Sequence, residues 1–123
     1  MSAHILFVDD EIPIRETLSM YFKIRGFQVT TAENRDEALR FADKGSFDLA
    51  ILDVDLGGEN GLELLEVLKR TQPKLPIIMF TSLGYDPALL EESLRKGASG
   101  YMSKTESLDT LMKEVQRALQ PKA

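Results

Sequence analysis

Short apolar runs alternate along this chain with segments in which apolar residues recur every three or four positions. The clearest runs lie at 4–8, 49–52 and 77–80, and two weaker ones lie at 27–31 and 99–103. Apolar runs of this length that end at polar residues are typical of strands buried in a parallel sheet. The intervening segments have helical spacing, so the pattern predicts five strands alternating with five helices. The apolar positions that define these helices lie within 14–22, 38–42, 62–68, 89–94 and 108–119.

Residues that begin and end helices support this division. Asn34, which stands three positions before Glu37, resembles the first residue of a capping box. Asp86 and Ser107 are suitable N-caps for the fourth and fifth helices, and Gly26 ends the first. The helix boundaries therefore agree with the apolar periodicity.

Regular alternation of strands and helices predicts the fold class. It implies a parallel sheet with helices on both faces, and right-handed crossovers leave few topologies. We predict an α/β fold of the flavodoxin-like, doubly wound kind, a (βα)5 three-layer sandwich with sheet order 2-1-3-4-5. The second strand is the most polar and fits a sheet edge. At 123 residues we expect one domain over residues 1–123, either a whole protein or a fragment of a longer one.

Composition excludes several kinds of site. The chain has no cysteine and a single histidine, which excludes disulfides, thiolate metal sites and multi-histidine metal sites. A net charge of -5 and a pI near 4.9 argue against direct nucleic-acid binding by this domain. Since we find no signal peptide and no apolar run of the ~18 residues that a membrane span needs, we predict a cytoplasmic protein.

Reactive side chains follow four of the predicted strands. Asp9 and Asp10 follow the first, Asp53 ends the third, Thr81 ends the fourth and Lys104 follows the fifth. Each of these residues alone is an ordinary turn or surface residue. The carboxyl ends of parallel strands share one edge of the sheet, where ligands bind. The convergence of these five side chains on that edge therefore predicts a functional site.

The residue types at this edge suit phosphoryl transfer. Neighbouring carboxylates repel one another unless a cation is present, and Mg²⁺ takes oxygen ligands of this kind. Asp9, Asp10 and Asp53 can supply a metal site, and Lys104 and Thr81 can supply the positive charge and hydroxyl that phosphoryl transfer uses. A carboxylate that attacks phosphorus gives an acyl phosphate.

These residues make the sequence resemble a known family, the bacterial two-component response-regulator receiver domains, over essentially the whole chain. The matching positions are Asp9-Asp10, Asp53, Asn60-Gly61, Thr81, Tyr101 and Lys104. The resemblance implies a signalling switch that catalyses its own phosphorylation and dephosphorylation. The phosphoryl donor would be a sensor histidine kinase or a histidine phosphotransfer protein.

The resemblance also implies a role for each matching residue. Asp53 would be the phosphoacceptor, acting with Thr81 and Lys104. Mg²⁺ would be bound by Asp10, Asp53 and the backbone carbonyl of Asp55, with Asp9 contributing through water. Thr81 and Tyr101 would rearrange and alter the surface of helix 4, strand 5 and helix 5, where a partner, an effector domain or a second copy would bind. Asp55 and Leu83 would tune the decay of the phosphorylated state.

The sequence departs from the family pattern at two positions. Gly57 replaces a usual proline, beside Gly58, and we expect a looser loop over the site. Thr105 replaces the proline that usually follows the lysine, and this predicts a trans peptide bond after Lys104.

Two other functions remain to be weighed. Asp53-Val54-Asp55 resembles the nucleophile motif of haloacid-dehalogenase-type phosphatases. That family places the motif on its first strand, however, and here it lies on the third. The other alternative is a degenerate receiver that acts only as a binding module.

Overall fold

Five parallel strands and five helices alternate in the order that the sequence predicts. The computed structural model describes residues 3–82, 84 and 86–120. The strands of the main sheet are β1 (His4–Val8), β2 (Gln28–Ala32), β3 (Leu49–Asp53), β6 (Ile77–Thr81) and β7 (Gly100–Ser103). The helices are α1 (Ile12–Ile24), α2 (Arg35–Lys44), α3 (Gly61–Thr71), α4 (Pro87–Arg95) and α5 (Leu108–Leu119). Two further short strands, β4 (Asp55–Leu56) and β5 (Glu59–Asn60), form a hairpin between β3 and α3.

The sheet has the predicted topology. Its order is β2-β1-β3-β6-β7, and every neighbouring pair is parallel. Since β6 and β7 are the fourth and fifth strands of the main sheet, the expected order 2-1-3-4-5 is confirmed. The polar strand β2 lies at an edge, as predicted. Strands β1 and β3 are neighbours, so the residues that follow them meet.

The core lies on both faces of this sheet. Successive residues of β3 alternate between the two faces because side chains of a strand point to opposite sides. Ala50 and Leu52 pack with residues of α2 and α3, and Leu49 and Ile51 pack with residues of α1 and α5. All five residues of β3 are buried, which makes this strand the rigid centre of the domain.

The predicted N-caps form the expected hydrogen bonds. The side chain of Asn34 accepts from the backbone N–H of Glu37, Ser107 from that of Thr110, and Asp86 from that of Ala88. Each bond satisfies one N–H group that a helix terminus leaves unpaired. Each cap therefore marks the residue at which the preceding loop ends and the helix begins.

The β4–β5 hairpin corrects the expectation of a loose loop after Asp53. Gly57 and Gly58 have φ angles of 63° and 97°, and two successive residues with positive φ are the requirement of a tight type I′ hairpin turn. The two glycines therefore close a defined turn. Gly61 follows the hairpin, and a Cβ atom there would overlap the carbonyl oxygen of Asp53, so α3 must begin with glycine.

Two further observations bear on the sequence predictions. No peptide bond among the described residues is cis, so the bond after Lys104 is trans, as Thr105 predicts. In the described part of the chain, no helix is both long and apolar enough to cross a membrane.

Candidate functional site

Asp53 is a buried carboxylate at the carboxyl end of the central strand. It is 3% exposed, although a charged side chain is rarely buried without partners. Its Oδ2 accepts a hydrogen bond from Lys104 Nζ at 2.8 Å, and its Oδ1 accepts one from the backbone N–H of Asp55 at 3.2 Å. Both oxygens are thus engaged by donors that favour the ionised form.

Asp9 is held by the segment that links β1 to α1. Its side chain is fully buried, and its Oδ1 accepts the backbone N–H of Glu11 at 2.9 Å. Its backbone N–H donates to the carbonyl of Ala32, and its own carbonyl accepts Arg15 Nη1 at 2.6 Å. Because these bonds involve both its backbone and its side chain, Asp9 has a fixed position beside Asp53.

Lys104 joins the two acidic segments. Its Nζ lies 2.7 Å from Asp9 Oδ2 and 2.8 Å from Asp53 Oδ2. The same nitrogen lies 3.1 Å from Glu11 Oε1. Its backbone N–H donates to the carbonyl of Thr81 at 2.7 Å, which ties the start of the β7–α5 loop to the end of β6. Replacement of the usual proline by Thr105 has therefore not displaced the lysine from the site.

The pKa values of Asp53 and Lys104 are shifted by burial and by neighbouring charges. Burial raises the pKa of the Asp53 carboxyl above its ordinary value; the hydrogen bond and charge of Lys104 oppose this shift, and the charge of Asp9 adds to it. Burial alone would lower the pKa of Lys104, but the hydrogen bonds and the negative charges of Asp53 and Asp9 together outweigh burial and raise it. Lys104 therefore stays protonated, while Asp53 is harder to ionise than an exposed aspartate.

Four carboxylates of this site can hold a metal ion. Asp9, Asp10, Glu11 and Asp53 each offer one oxygen, and these oxygens lie within 4.8 Å of one another. Lys104 contributes one positive charge against these four groups. Excess negative charge and hard oxygen donors are what Mg²⁺ prefers, so the residues present fit the ion that the sequence predicts.

Thr81 and Tyr101 lie on the neighbouring strands β6 and β7. Thr81 is buried and stands one position beyond Phe80, which pairs in register with Asp53. Tyr101 is half-buried, and its hydroxyl donates to the carbonyl of Gly84 at 3.0 Å. Gly84 lies in the segment between Thr81 and α4, so Tyr101 is bonded to the loop that follows Thr81.

Of the two residues expected to tune the decay of the phosphorylated state, the structure describes only Asp55. Asp55 is exposed, and its Oδ1 accepts the backbone N–H of Gly58 at 3.3 Å, within the hairpin turn. Leu83 lies outside the described residues.

Sequence reasoning missed two residues of this site. Glu11, which directly follows the acidic pair, reaches Lys104, and its position in the run Asp9-Asp10-Glu11 was the available signal. Arg15 lies one helical turn beyond Glu11 and binds the Asp9 carbonyl. Nothing in the apolar pattern distinguishes Arg15 from a solvated helix residue.

Comparison with known proteins agrees with this geometry. A family model described as the response regulator receiver domain matches residues 5–116. The uncharacterized transcriptional regulatory protein YkoG of Bacillus subtilis is 34% identical over 116 residues, which cover 94% of this chain and 50% of YkoG. The chain spans half or less of the length of the first curated relatives it matches.

Solved structures agree in fold over almost the whole chain. The chemotaxis protein CheY4 of Vibrio cholerae has a TM-score of 0.91 and 34% identity, with coverage of 97% of this chain and 100% of CheY4. TrrA of Thermotoga maritima, a response regulator protein solved in complex with Mg²⁺ and BeF, has a TM-score of 0.85, 34% identity and the same coverage of both chains.

Proposed function

The chain belongs to the response regulator receiver domain family, and from that premise we propose that Asp53 is its phosphoacceptor. Phosphoryl transfer is the general function of this family. The observation that carries the proposal is the position of the Asp53 carboxylate, which is buried at the end of β3 and bonded to Lys104 at 2.8 Å. A nucleophilic carboxylate needs a rigid support and a nearby positive charge that favours its ionised form, and β3 and Lys104 would supply these.

The proposed reaction takes the phosphoryl group from a phosphohistidine. An oxygen of Asp53 forms a bond to phosphorus, the bond from phosphorus to the donor imidazole nitrogen breaks, and its electron pair stays with the imidazole. Lys104 would pair with the negative charge on the phosphoryl oxygens, and the Thr81 hydroxyl would donate a hydrogen bond to one of them.

The proposed metal ligands are the carboxylates of Asp10 and Asp53 and the backbone carbonyl of Asp55, with Asp9 acting through water. When bound, Mg²⁺ would neutralise charge on the carboxylates and on the phosphoryl oxygens. Glu11 is an additional carboxylate in the same group, and its contact with Lys104 keeps one acidic side chain at the rim of the site. The complex of TrrA with Mg²⁺ and BeF supports carrying this ion over to the present chain.

The proposed output is a change in the surface formed by α4, β7 and α5. Thr81 precedes the segment that reaches α4, and the Tyr101 hydroxyl is bonded to Gly84 of that segment. Movement of Thr81 toward a phosphoryl group would shift this segment and change the position of Tyr101. The segment and Tyr101 would then form a two-state element that a local charge biases. A kinase or phosphotransfer protein would act at Asp53, and an effector domain or a second copy would bind the altered surface.

Incubation with Mg²⁺ and acetyl phosphate tests the proposed phosphoacceptor. Intact mass spectrometry should find one added, base-labile phosphate on the wild-type chain and none on Asp53→Asn. Asp43→Asn, which changes an exposed residue of α2, is the matched control and should label normally. Equal labelling of Asp53→Asn and wild type would place the nucleophile elsewhere. A wild-type chain that never labels would be a binding module, and one that releases phosphate continuously without labelling would be a phosphatase.

A further inference from the structure

The turn of the β4–β5 hairpin lies directly against the carboxylate of Asp10. A Cβ atom added to Gly57 would stand 3.3 Å from Asp10 Oδ2, closer than side-chain atoms usually approach. Within the described residues the Asp10 carboxylate accepts no hydrogen bond and makes no ion pair, in contrast to the bonded carboxylates of Asp9 and Asp53. Gly57 therefore lies beside this exposed carboxylate, and a side chain at position 57 would fit only if the two residues moved apart.

The hairpin is anchored on the side facing α2. Glu59 Oε1 accepts the backbone N–H of Arg35 at 3.0 Å, and Arg35 is the first residue of α2. A carboxylate at this point satisfies an N–H group that the helix leaves unpaired and meets the positive end of the helix dipole. Glu59 thus fastens the hairpin to α2.

The base of the hairpin is fixed by backbone and core contacts. The backbone N–H of Gly61 donates to the carbonyl of Val54 at 2.7 Å, and Leu56 is buried in the core. The Asp55 side chain closes the turn by accepting the N–H of Gly58. Because both ends are held, the place of Gly57 over Asp10 is set by the hairpin as a whole.

We propose that Gly57 is a positioning residue for Asp10, and that Glu59 supports it by fastening the hairpin to α2. This inference rests on the proposed function, since it concerns how Asp10 is presented to the metal and to Asp53. Glycine at position 57 serves two needs: it adopts a φ angle that side chains rarely allow, and it leaves room for the carboxylate. In this positive-φ turn, a side chain at position 57 would make the Asp10 carboxylate give way by a few tenths of an ångström from its present place among the four carboxylates.

The two glycines of the turn provide a matched pair of variants. Both have positive φ, so alanine strains the backbone at either position. A Cβ at position 57 meets Asp10, whereas a Cβ at position 58 has no atom within 4 Å. Because 63° lies within the left-handed region that alanine can adopt and 97° lies beyond it, backbone strain is greater in Gly58→Ala. A larger effect of Gly57→Ala would therefore come from the contact with Asp10.

Mg²⁺ binding without any phosphoryl donor is the first readout. We expect Gly57→Ala to raise the Mg²⁺ Kd by about tenfold, the lower end of what disturbing an outer-shell partner of a metal ligand costs. Gly58→Ala should stay within about twofold of wild type on the same reasoning. In the metal-free protein, NMR should find the Asp10 and Glu11 amide signals displaced in Gly57→Ala and near their wild-type positions in Gly58→Ala. Equal affinities and equal spectra for the two variants would overturn the proposal.

A second pair of variants leaves the glycines intact. Glu59→Ala removes the bond to Arg35, whereas Glu59→Gln keeps an oxygen that can accept it. We expect Glu59→Ala to weaken Mg²⁺ binding and Glu59→Gln to restore it. Glu63→Ala removes an equal charge from the Arg35 side-chain contact and is the charge control. Equal losses of Mg²⁺ affinity in Glu59→Ala and Glu63→Ala would mean that the loss of negative charge alone weakens binding, and would refute the role of Glu59.

These experiments distinguish failure of the proposed function from failure of the positioning role alone. If wild type does not label with acetyl phosphate, the proposed function fails. If wild type labels and the Gly57 and Glu59 variants bind Mg²⁺ as it does, only the positioning role fails.

Discussion

The Lys104 ammonium nitrogen lies 2.8 Å from Oδ2 of Asp53, although 51 positions separate the two residues in the chain. The contact exists because β3 and β7 flank β6 in the sheet, so that both strands end at one edge. Lys104 also pairs with Asp9 at 2.7 Å. A single cation thus balances the proposed nucleophile and a proposed metal-site residue, and removing it should affect both.

Lys104→Met should make Asp53 harder to ionise. Lys104 lowers the pKa of Asp53 against the effect of burial, so its loss should raise that pKa further. Loss of one partner from a buried ion pair should also reduce the free energy of unfolding, by about 3 kcal/mol. Carboxyl carbon NMR titration and urea unfolding, both without Mg²⁺, measure the two effects. Lys113→Met, on the exposed side of α5, is the control; an Asp53 pKa that stays at its wild-type value would contradict the prediction.

Asp53→Asn should stabilise the fold more at neutral pH than at acidic pH. Burial raises the Asp53 pKa, so the folded state keeps a proton that the unfolded chain has already lost as pH rises from the ordinary aspartate value toward the raised one. Ionisation of Asp53 therefore costs wild type stability across that window, and asparagine has no such cost. Chemical denaturation of both proteins across the window without Mg²⁺ measures the difference, which should grow with pH. A difference that shrinks with rising pH would refute this account.

Asp10→Asn should weaken Mg²⁺ binding sharply. The change removes a full negative charge from a site that has few protein ligands, and we expect the Kd to rise by at least about tenfold. Calorimetry of the metal titration measures this change. Asp36→Asn, on the exposed face of α2, serves as the control for net charge. An unchanged Kd in Asp10→Asn would exclude Asp10 as a ligand.

Phosphorylation should change the surface of α4, β7 and α5. A phosphoryl mimic such as beryllofluoride, added with Mg²⁺, should shift NMR signals that cluster on these elements and around Tyr101. Tyr101→Phe removes the hydroxyl that bonds Gly84, a net loss of about 1 kcal/mol, and should reduce the response of α4 while leaving that of Asp53 intact. Shifts confined to α1 and α2 would contradict the proposed output surface.

Leu83→Ala should speed the decay of phosphorylated Asp53. Leucine offers no hydrogen bond to water, and its position two residues past Thr81 suits a shield on the path of in-line attack. The measurement is loss of phosphate from Asp53 with Mg²⁺ and without a kinase. Leu94→Ala, an exposed leucine of α4, is the control. An equal or slower decay in Leu83→Ala would show that Leu83 is not the shield.

The rate at which phosphorylated Asp53 loses its phosphate should also depend on the side chain of Asp55. Its carboxylate accepts the Gly58 N–H, so Asp55→Asn keeps an acceptor for the turn and changes mainly the charge near the phosphoryl group. A decay rate equal to that of wild type would mean that this charge has no part in the attack of water.

The sequence predicts most of the fold and of the site because both depend on local patterns. Apolar runs mark the strands, and Asn34 and Ser107 mark helix starts through bonds to residues only three positions away. Parallel strands then bring Asp9, Asp53 and Lys104 together without further information.

Other features depend on contacts that no local pattern encodes. Two glycines after Asp53 predict either a loose loop or a tight turn, and their φ angles decide between the two. The bond from Glu59 to the backbone of Arg35 forms only after α2 and the hairpin have packed. Arg15 likewise gains its partner only from the tertiary fold. Glu11 stands in the acidic run Asp9-Asp10-Glu11, but its bond to Lys104 also forms only in the folded chain.

Burial of every residue of β3 gives the proposed switch a fixed reference point. A strand enclosed on both faces and hydrogen-bonded on both sides cannot shift without opening the core, so the proposed phosphoacceptor would stay in place while its surroundings respond. Spin labels or fluorophores that report on activation therefore belong on α4 or α5, with distances measured from a site anchored to the central strand. An engineered biosensor built from this domain would take its signal from α4 and α5, where the proposed change occurs, and its fixed reference from β3.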